Sequence, residues 1–419
     1  MKGYKMDNEN VFSRLVEQIE LFRSDMIEFQ KSITRIKALS PKNGGEGEWD
    51  KAIYVKDFLE KRGIKNIEQI NAPDPEAKSG NRPNLIVRIP GNSNKRSIWI
   101  MSHLDVVPEG DLKNWHSNPW EVIEKDGKLY GRGTEDNQQS LTSSIFTALA
   151  FHELNIKPEF DLNLILVADE ETGSKFGLAY LLENHRDLFR DQDIFLVPDF
   201  GTPDGSQIEV AEKGIIWLRF ITKGKQAHAS LPATGINAFK AASHLVVKLG
   251  KLQEFFHIQN EVFDPPNSTF EPTKKEANVP NINTIPGEDI FYLDCRLLPE
   301  YSVDQLIKKV QQICKNVEND FQVKIEIEPV LSDGAAPATP EESLVVQKLL
   351  KAVKQIYQIE AKSIGIGGGT VAAIFRREGL HAAVWSKIDD VCHQPNEYCV
   401  IENMMNDAKV FVHICLQKE

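Results

Sequence analysis

Apolar side chains along this chain change their spacing from segment to segment, and each change marks an element. Over residues 11–37 they recur every three or four positions, with Val11, Leu15, Phe22, Met26, Phe29, Ile33 and Ile36 roughly on one side. That spacing predicts one long amphipathic helix, ended by Pro41. A second helix is predicted from Trp49 to Arg62 and stops at Gly63. Compact apolar runs follow, from Asn84 to Ile89, Ser97 to Met101, Leu162 to Ala168 and Ile194 to Val197, with a helix starting near Asn137 between them. Short strands separated by helices are the pattern of a mostly parallel sheet covered on both faces.

Between Gly214 and Glu328 the period drops to two. Ile216, Leu218 and Phe220, then Phe291, Leu293 and Cys295, then Val323, Ile325 and Ile327 alternate with polar residues, as strands with one buried face do. Helices predicted from Ile236 to Phe255 and from Val303 to Val317 fall between them, which gives the β-α-β-β-α-β order of a ferredoxin-like α+β unit. After Pro329 the earlier rhythm resumes. The expected architecture is α/β: a main domain split into residues 1–213 and 330–419, with residues 214–329 inserted as a lid. A chain of 419 residues exceeds what one hydrophobic core usually supports, which agrees with two domains.

Charge narrows the function classes. Against 61 acidic residues stand 49 Lys plus Arg, a net charge of -12 that argues against nucleic acid and anionic membrane as partners. The first residues carry no apolar leader core, and no later apolar run is long enough to span a bilayer, so a soluble cytoplasmic protein is expected. The five cysteines lack the pairing of a disulfide framework or zinc ribbon and are expected to be reduced, buried thiols.

Three of the apolar runs lead straight into metal-type ligands. Ser97 to Met101 delivers His103 and Asp105, Leu162 to Ala168 delivers Asp169-Glu170-Glu171, and Ile194 to Val197 delivers Asp199. Gly133-Thr134-Glu135-Asp136 and Cys392-His393-Gln394-Pro395-Asn396-Glu397 add two further segments. Zinc favours imidazole and carboxylate, and open α/β sheets bind ligands outside the carboxyl ends of their strands, so the segments together read as a two-metal hydrolase site. Singly, each has an ordinary reading: a satisfied histidine, or a solvated acidic turn. In His103-x-Asp105 alternate residues share a face, so the Asp105 carboxylate is expected to accept the second ring N–H of His103. Glu170 and Glu171 are adjacent and should diverge, one ligating and the other facing substrate.

The motifs His103-Leu104-Asp105-Val106-Val107-Pro108, Gly131-Arg132-Gly133-Thr134-Glu135-Asp136, Ala168-Asp169-Glu170-Glu171-Thr172-Gly173, Gly224-Lys225-Gln226-Ala227-His228-Ala229-Ser230-Leu231-Pro232 and Cys392 to Glu397 occur in an order that resembles the zinc-dependent aminoacylase, carboxypeptidase and desuccinylase superfamily. The resemblance covers nearly the whole chain. It implies that His103, Asp136 and Asp199 hold one metal and that Asp136, Glu171 and His393 hold the other, Asp136 bridging. Two zinc ions are the implied cofactors, with cobalt or manganese as substitutes. It also implies Glu170 as the general base, and His228 as the lid histidine that stabilises the oxyanion, reaching into a partner's site in a homodimer formed through the lid. Arg296 is implied to bind the substrate carboxylate. The ordinary alternatives are a hydrogen-bonded loop histidine at His228 and an ion pair of Arg296 with Asp294 or Glu300.

The run Gly365-Ile366-Gly367-Gly368-Gly369-Thr370 has neither the lysine of a phosphate loop nor dinucleotide-binding spacing. The resemblance places Gly368, Gly369 and Thr370 at the substrate pocket, beside a helix expected from about Val371 to Arg377 whose first N–H groups would receive a carboxylate. Val371 stands where relatives commonly carry Asp, and Asn137-Gln138-Gln139 where they favour a lysine; both departures bear on substrate choice. Cys392 is read as a packed thiol. The expected activity is hydrolysis of the amide of an N-acyl amino acid by an activated water, with a dipeptidase or carboxypeptidase acting on short peptides as the alternative. A non-catalytic binding protein of the same fold should have lost a ligand or the base, and none is missing.

Overall fold

A computed structural model describes residues 8–418, so Met1–Asp7, read above for a leader, lie outside it. The chain divides into two compact units. One runs up to Val210 and resumes at Thr339–Ser363 and from Thr370 onward; the other comprises Ala211–Ala338 and Ile364–Gly369. The second unit therefore extends past the expected 214–329. Its last strand, Lys324–Asp333, continues beyond Pro329 through a shift of register between Pro329 and Leu331, an irregularity suited to a proline on an edge strand.

The first unit is built on a sheet in the order Ile67–Pro73, Asn81–Ile89, Phe160–Val167, Ser93–His103, Ile194–Gly201, Ala382–Ser386, Gln207–Glu212, the last of these running on from Val210 into the residues of the second unit. From Phe160–Val167 to Ala382–Ser386 the neighbours run parallel. Asn81–Ile89 pairs antiparallel with both Ile67–Pro73 and Phe160–Val167, and Gln207–Glu212 pairs antiparallel with Ala382–Ser386. On one face Trp99, Met101, Ile165, Val167, Phe195 and Val197 pack against the helices Leu178–Asn184 and Ala372–Arg377. The helix Gln138–Glu153 packs against Ser93–His103 and Phe160–Val167 and is itself overlaid by Arg23–Arg35 and Ile401–Leu416. It is buried almost all round, so it shows no amphipathic stripe. Of its buried hydroxyls, those of Ser143 and Thr147 donate to the carbonyls of Met404 and Ser143, while that of Thr142 has no partner among the described residues.

The long N-terminal helix is interrupted. Asn8–Leu21 and Arg23–Arg35 meet at Phe22, whose N–H is shared between the carbonyls of Gln18 and Ile19. Its ring lies edge-on to Phe146 at 5.2 Å.

The second unit carries a four-stranded antiparallel sheet in the order Thr269–Lys275, Glu288–Leu297, Gly214–Lys223, Lys324–Asp333. Ile216, Leu218, Phe220, Phe291, Leu293 and Cys295 pack on one face against Leu245, Val310 and Val317 of the helices Ala238–Leu249 and Val303–Phe321. This is the expected β-α-β-β-α-β chain order. The helix expected to reach Phe255 stops at Leu249, with Gly250 after it and a separate turn at Leu252–Glu254. Among the described residues no helix is long and apolar enough to cross a membrane.

Candidate metal centre

Three adjacent parallel strands bring their carboxyl ends together in the first unit. His103 ends one strand opposite Val167, the last residue of the next, and Asp199 lies near the end of the third. Glu170 and Glu171 occupy the tight turn just after Val167. The connection before the helix Gln138–Glu153 adds Asp136, and the loop before the strand Tyr398–Val400 adds His393.

Asp136 lies at the centre. Its Oδ1 is 3.0 Å from His103 Nε2 and its Oδ2 is 3.0 Å from His393 Nε2. His103 Nε2 is also 3.5 Å from Asp199 Oδ1, and His393 Nε2 is 3.1 Å from Glu171 Oε2. Ligand atoms of His103, Asp136 and Glu171 lie within 4.8 Å of one another, as do those of His103, Glu170 and Asp199. The buried Glu171 Oε1 has no hydrogen-bond partner among the described residues.

Electrostatics in this cluster are set by burial and by these contacts. Burial alone would pull His103 down, but Asp105, Asp136 and Asp199 outweigh it and hold the ring well above its usual range. His393 is pushed up to about 10, first by Asp136 and then by Glu171. Burial would raise Asp136, yet the two histidines hold it far below the usual carboxylate range. Glu171 goes the other way, raised by burial to about 7. Burial, with Asp199 next, also pushes Glu170 well up. Imidazole nitrogens facing carboxylates, with a buried carboxylate oxygen left unpaired, form a donor set that fits divalent cations.

Asp105 departs from its expected contact. The ring N–H at His103 Nδ1 donates to the backbone carbonyl of Asp105 at 3.0 Å, while the carboxylate stands 3.5 Å away. That carboxylate instead accepts the backbone N–H of Glu170 and of Glu171, each at 3.1 Å. Asp105 lies beyond the end of its strand, so strand alternation does not govern its side chain.

His228 belongs to the second unit, on a two-residue strand paired with Thr284–Ile285. It is exposed, and its Nδ1 lies 2.7 Å from the Ser230 hydroxyl and 3.2 Å from the Ser230 N–H. Arg296 takes the ordinary ion pair, Nε to Asp294 at 2.8 Å, and also donates to the Gly367 carbonyl at 2.7 Å. Gly368 and Gly369 lie in the second unit and Thr370 in the first. The helix after them starts at Ala372, and the N–H groups of Ala372 and Ala373 already donate to the hydroxyl and carbonyl of Thr370. A carboxylate at that helix start is therefore not supported.

Several residues at the centre were not legible as participants. Asn137 donates to Asp199 Oδ1 at 2.6 Å and to the Pro198 carbonyl at 2.9 Å, fixing one ligand. Glu397, in a segment read for ligands, turns away from the cluster and accepts hydrogen bonds from the Asp136 turn. Lys51 is buried with no hydrogen-bond partner for its amine among the described residues. Burial lowers it to about 8 against the pull of Asp105, Glu48 and Glu397. Only the neighbourhood of Asn137 in sequence offered a signal.

The sequence pattern of peptidase family M20/M25/M40 matches residues 99–417. An uncharacterised metallohydrolase of Methanocaldococcus jannaschii is 41% identical over 407 residues, covering 93% of this chain and 98% of the relative. Succinyl-diaminopimelate desuccinylase of Rickettsia bellii is 25% identical over 397 residues, covering 93% of this chain and 95% of its own length. Among solved structures, human carnosine dipeptidase 1 superposes with a TM-score of 0.71 at 19% identity, covering 97% of this chain and 98% of that one.

Proposed function

This chain belongs to peptidase family M20/M25/M40 and is a metal-dependent amidohydrolase or peptidase; we propose that it uses two metal ions to cleave the amide bond of N-acyl amino acids. Asp136 carries the reading, because a single carboxylate with one oxygen 3.0 Å from each of two imidazole nitrogens is arranged to bridge two cations. His103, Asp136 and Asp199 would hold one ion, and Asp136, Glu171 and His393 the other. Zinc, with cobalt or manganese as substitutes, would supply Lewis-acid polarisation of the scissile carbonyl and an acidified water.

The chain's own residues do the rest. Glu170, beside the ligands and not needed to complete either set, takes the proton of the attacking water and passes it to the leaving amine. Asp105 orients the turn on which Glu170 sits through two backbone N–H groups. His228 donates to the oxyanion as the carbonyl becomes tetrahedral, in its own site or across a homodimer formed through the lid. Arg296 is assigned to the carboxylate of the amino acid, in exchange for its ion pair with Asp294, and Gly368, Gly369 and Thr370 to the lining of the same pocket. The deacylase reading draws support from the relative named as a desuccinylase.

A screen of formyl, acetyl and succinyl amino acids beside dipeptides, with zinc, cobalt or manganese supplied, tests it. Turnover of acyl amino acids well above that of dipeptides is expected. Hydrolysis confined to dipeptides or C-terminal residues would replace the deacylase with a peptidase.

A further inference from the structure

We propose that Glu397 and Glu135 are positioning residues that fix Asp136 relative to His393, so that the metal on the Glu171–His393 side depends on them more steeply than the metal on the His103–Asp199 side. The proposal rests on the metal partition given above.

The two loops concerned are joined by an exchange of buried carboxylates. Glu397, four positions after His393, reaches into the turn that carries Asp136. Its Oε1 accepts the N–H of Glu135 at 3.0 Å and of Asp136 at 3.1 Å. Its Oε2 accepts the N–H of Gly133 at 2.9 Å and the Arg132 guanidinium at 2.6 Å. Glu135, next to Asp136, reaches the other way: Oε1 accepts the N–H of Asp389 at 2.7 Å and Oε2 that of Val391 at 2.6 Å. Both glutamates are at most 3% exposed. Neither belongs to the proposed ligand sets, yet together they fasten the backbone beside each of the two ligands.

His393 needs such fastening. Its side chain is 53% exposed, and its loop adopts left-handed backbone at Asp390, His393 and Asn396, a conformation uncommon for non-glycine residues though more frequent for Asp, His and Asn. The opposite side is anchored otherwise. His103 ends a buried strand with its ring tied to the Asp105 carbonyl, and Asp199 sits on a strand with its carboxylate held by Asn137. Loosening the clamp therefore displaces His393 first.

In Glu135→Gln one carboxylate oxygen becomes an amide NH2 facing a backbone N–H, so one of the two anchors of the His393 loop is lost while the shape is kept. Glu397→Gln removes acceptors from the Asp136 side in the same way. Hydrogen-bonding partners of ligands typically change metal affinity about 10- to 100-fold. Cobalt titration of the metal-free protein, followed by calorimetry and by visible absorption, counts the sites and reads each affinity. The wild type should show two sites. Glu135→Gln should keep one near wild-type affinity and weaken the other about 10- to 100-fold, with turnover recovering at excess metal and a cooperative thermal unfolding transition retained. If Glu397→Gln fails to fold because Arg132 loses its buried partner, Glu135→Gln, whose bonds are to backbone alone, carries the test. Equal weakening of both sites, or none, overturns the clamp. A wild type that binds fewer than two ions overturns the metal partition first, and the clamp with it.

Discussion

Asp105→Asn separates two roles that the sequence could not tell apart. If the carboxylate served mainly to hold the His103 ring, its loss would loosen the ion on the His103–Asp199 side. In the structure the ring is held by the Asp105 backbone carbonyl at 3.0 Å, which the substitution leaves in place. What changes is the pair of bonds, each 3.1 Å, from the N–H groups of Glu170 and Glu171 to the two carboxylate oxygens. Asparagine keeps one acceptor and turns an NH2 toward the other N–H. A charge-assisted hydrogen bond contributes roughly 1.5–3 kcal/mol, and an unsatisfied buried donor costs about 1–3 kcal/mol, so the turn loses on the order of 2.5–6 kcal/mol. At about 1.4 kcal/mol per tenfold, that is a fall in turnover of about 10²- to 10⁴-fold. Steady-state kinetics on an acyl amino acid, with metal content by elemental analysis, reads both effects. The ion on the Glu171 side should weaken and the His103-side ion should stay. Loss of the His103-side ion alone, or unchanged turnover, would refute the reasoning.

Glu170→Gln should retain both metals and lose at least about 100-fold in turnover, whereas Glu171→Gln should lose metal; kinetics with metal analysis checks this, and exchanged phenotypes would reverse the two roles. His228→Ala should lower turnover by about 10²–10³-fold with metal content unchanged. Partial rescue in mixed dimers with Glu170→Ala would place its action across subunits, and undiminished turnover would remove the role. Asp407 is raised to about 7 by burial, against hydrogen bonds from Tyr357 and Gln139. Its folded value lies above its unfolded one, so its contribution to stability is complete below about pH 4 and is lost as pH rises to about 7. Asp407→Asn should therefore gain on the wild type across that window, by up to a few kcal/mol, and parallel melting profiles from pH 4 to 7 would refute it.

The strands that build the site were legible because burial on both faces leaves uninterrupted apolar runs such as Ile98–Met101 and Leu164–Ala168. Thr269–Lys275 was not, since only Phe270 is buried and the rest reads as solvated loop. The break at Phe22 was hidden because Phe22 keeps backbone in the helical region and both helices present the same apolar side. Among site residues, the ligands stood out by type and by place at strand ends. The glutamates of the clamp did not, because Glu135 and Glu397 act on backbone more than two hundred and fifty residues away, and no local pattern encodes that meeting.

Charge explains why so acidic a cluster is tolerated beneath the surface. Asp136, Glu171, Asp199 and Glu170 are grouped around only two imidazoles. Without cations the cluster compensates itself by holding protons: both histidines are pushed up, and Glu170 and Glu171 are raised as well. Two divalent cations would offset four carboxylates without those protons, so binding must release them and affinity must rise with pH. Each ring can exchange its Nε2 proton for a cation only if the rest of the imidazole stays put. For His103 the bond from Nδ1 to the Asp105 carbonyl ensures this. The exposed His393 has no such ring bond among those described and relies on its backbone, held from the Asp136 turn by Glu135. The two sides of the centre thus bear similar ligands on supports of different stiffness, which is the physical basis for expecting one ion to be held more tightly than the other.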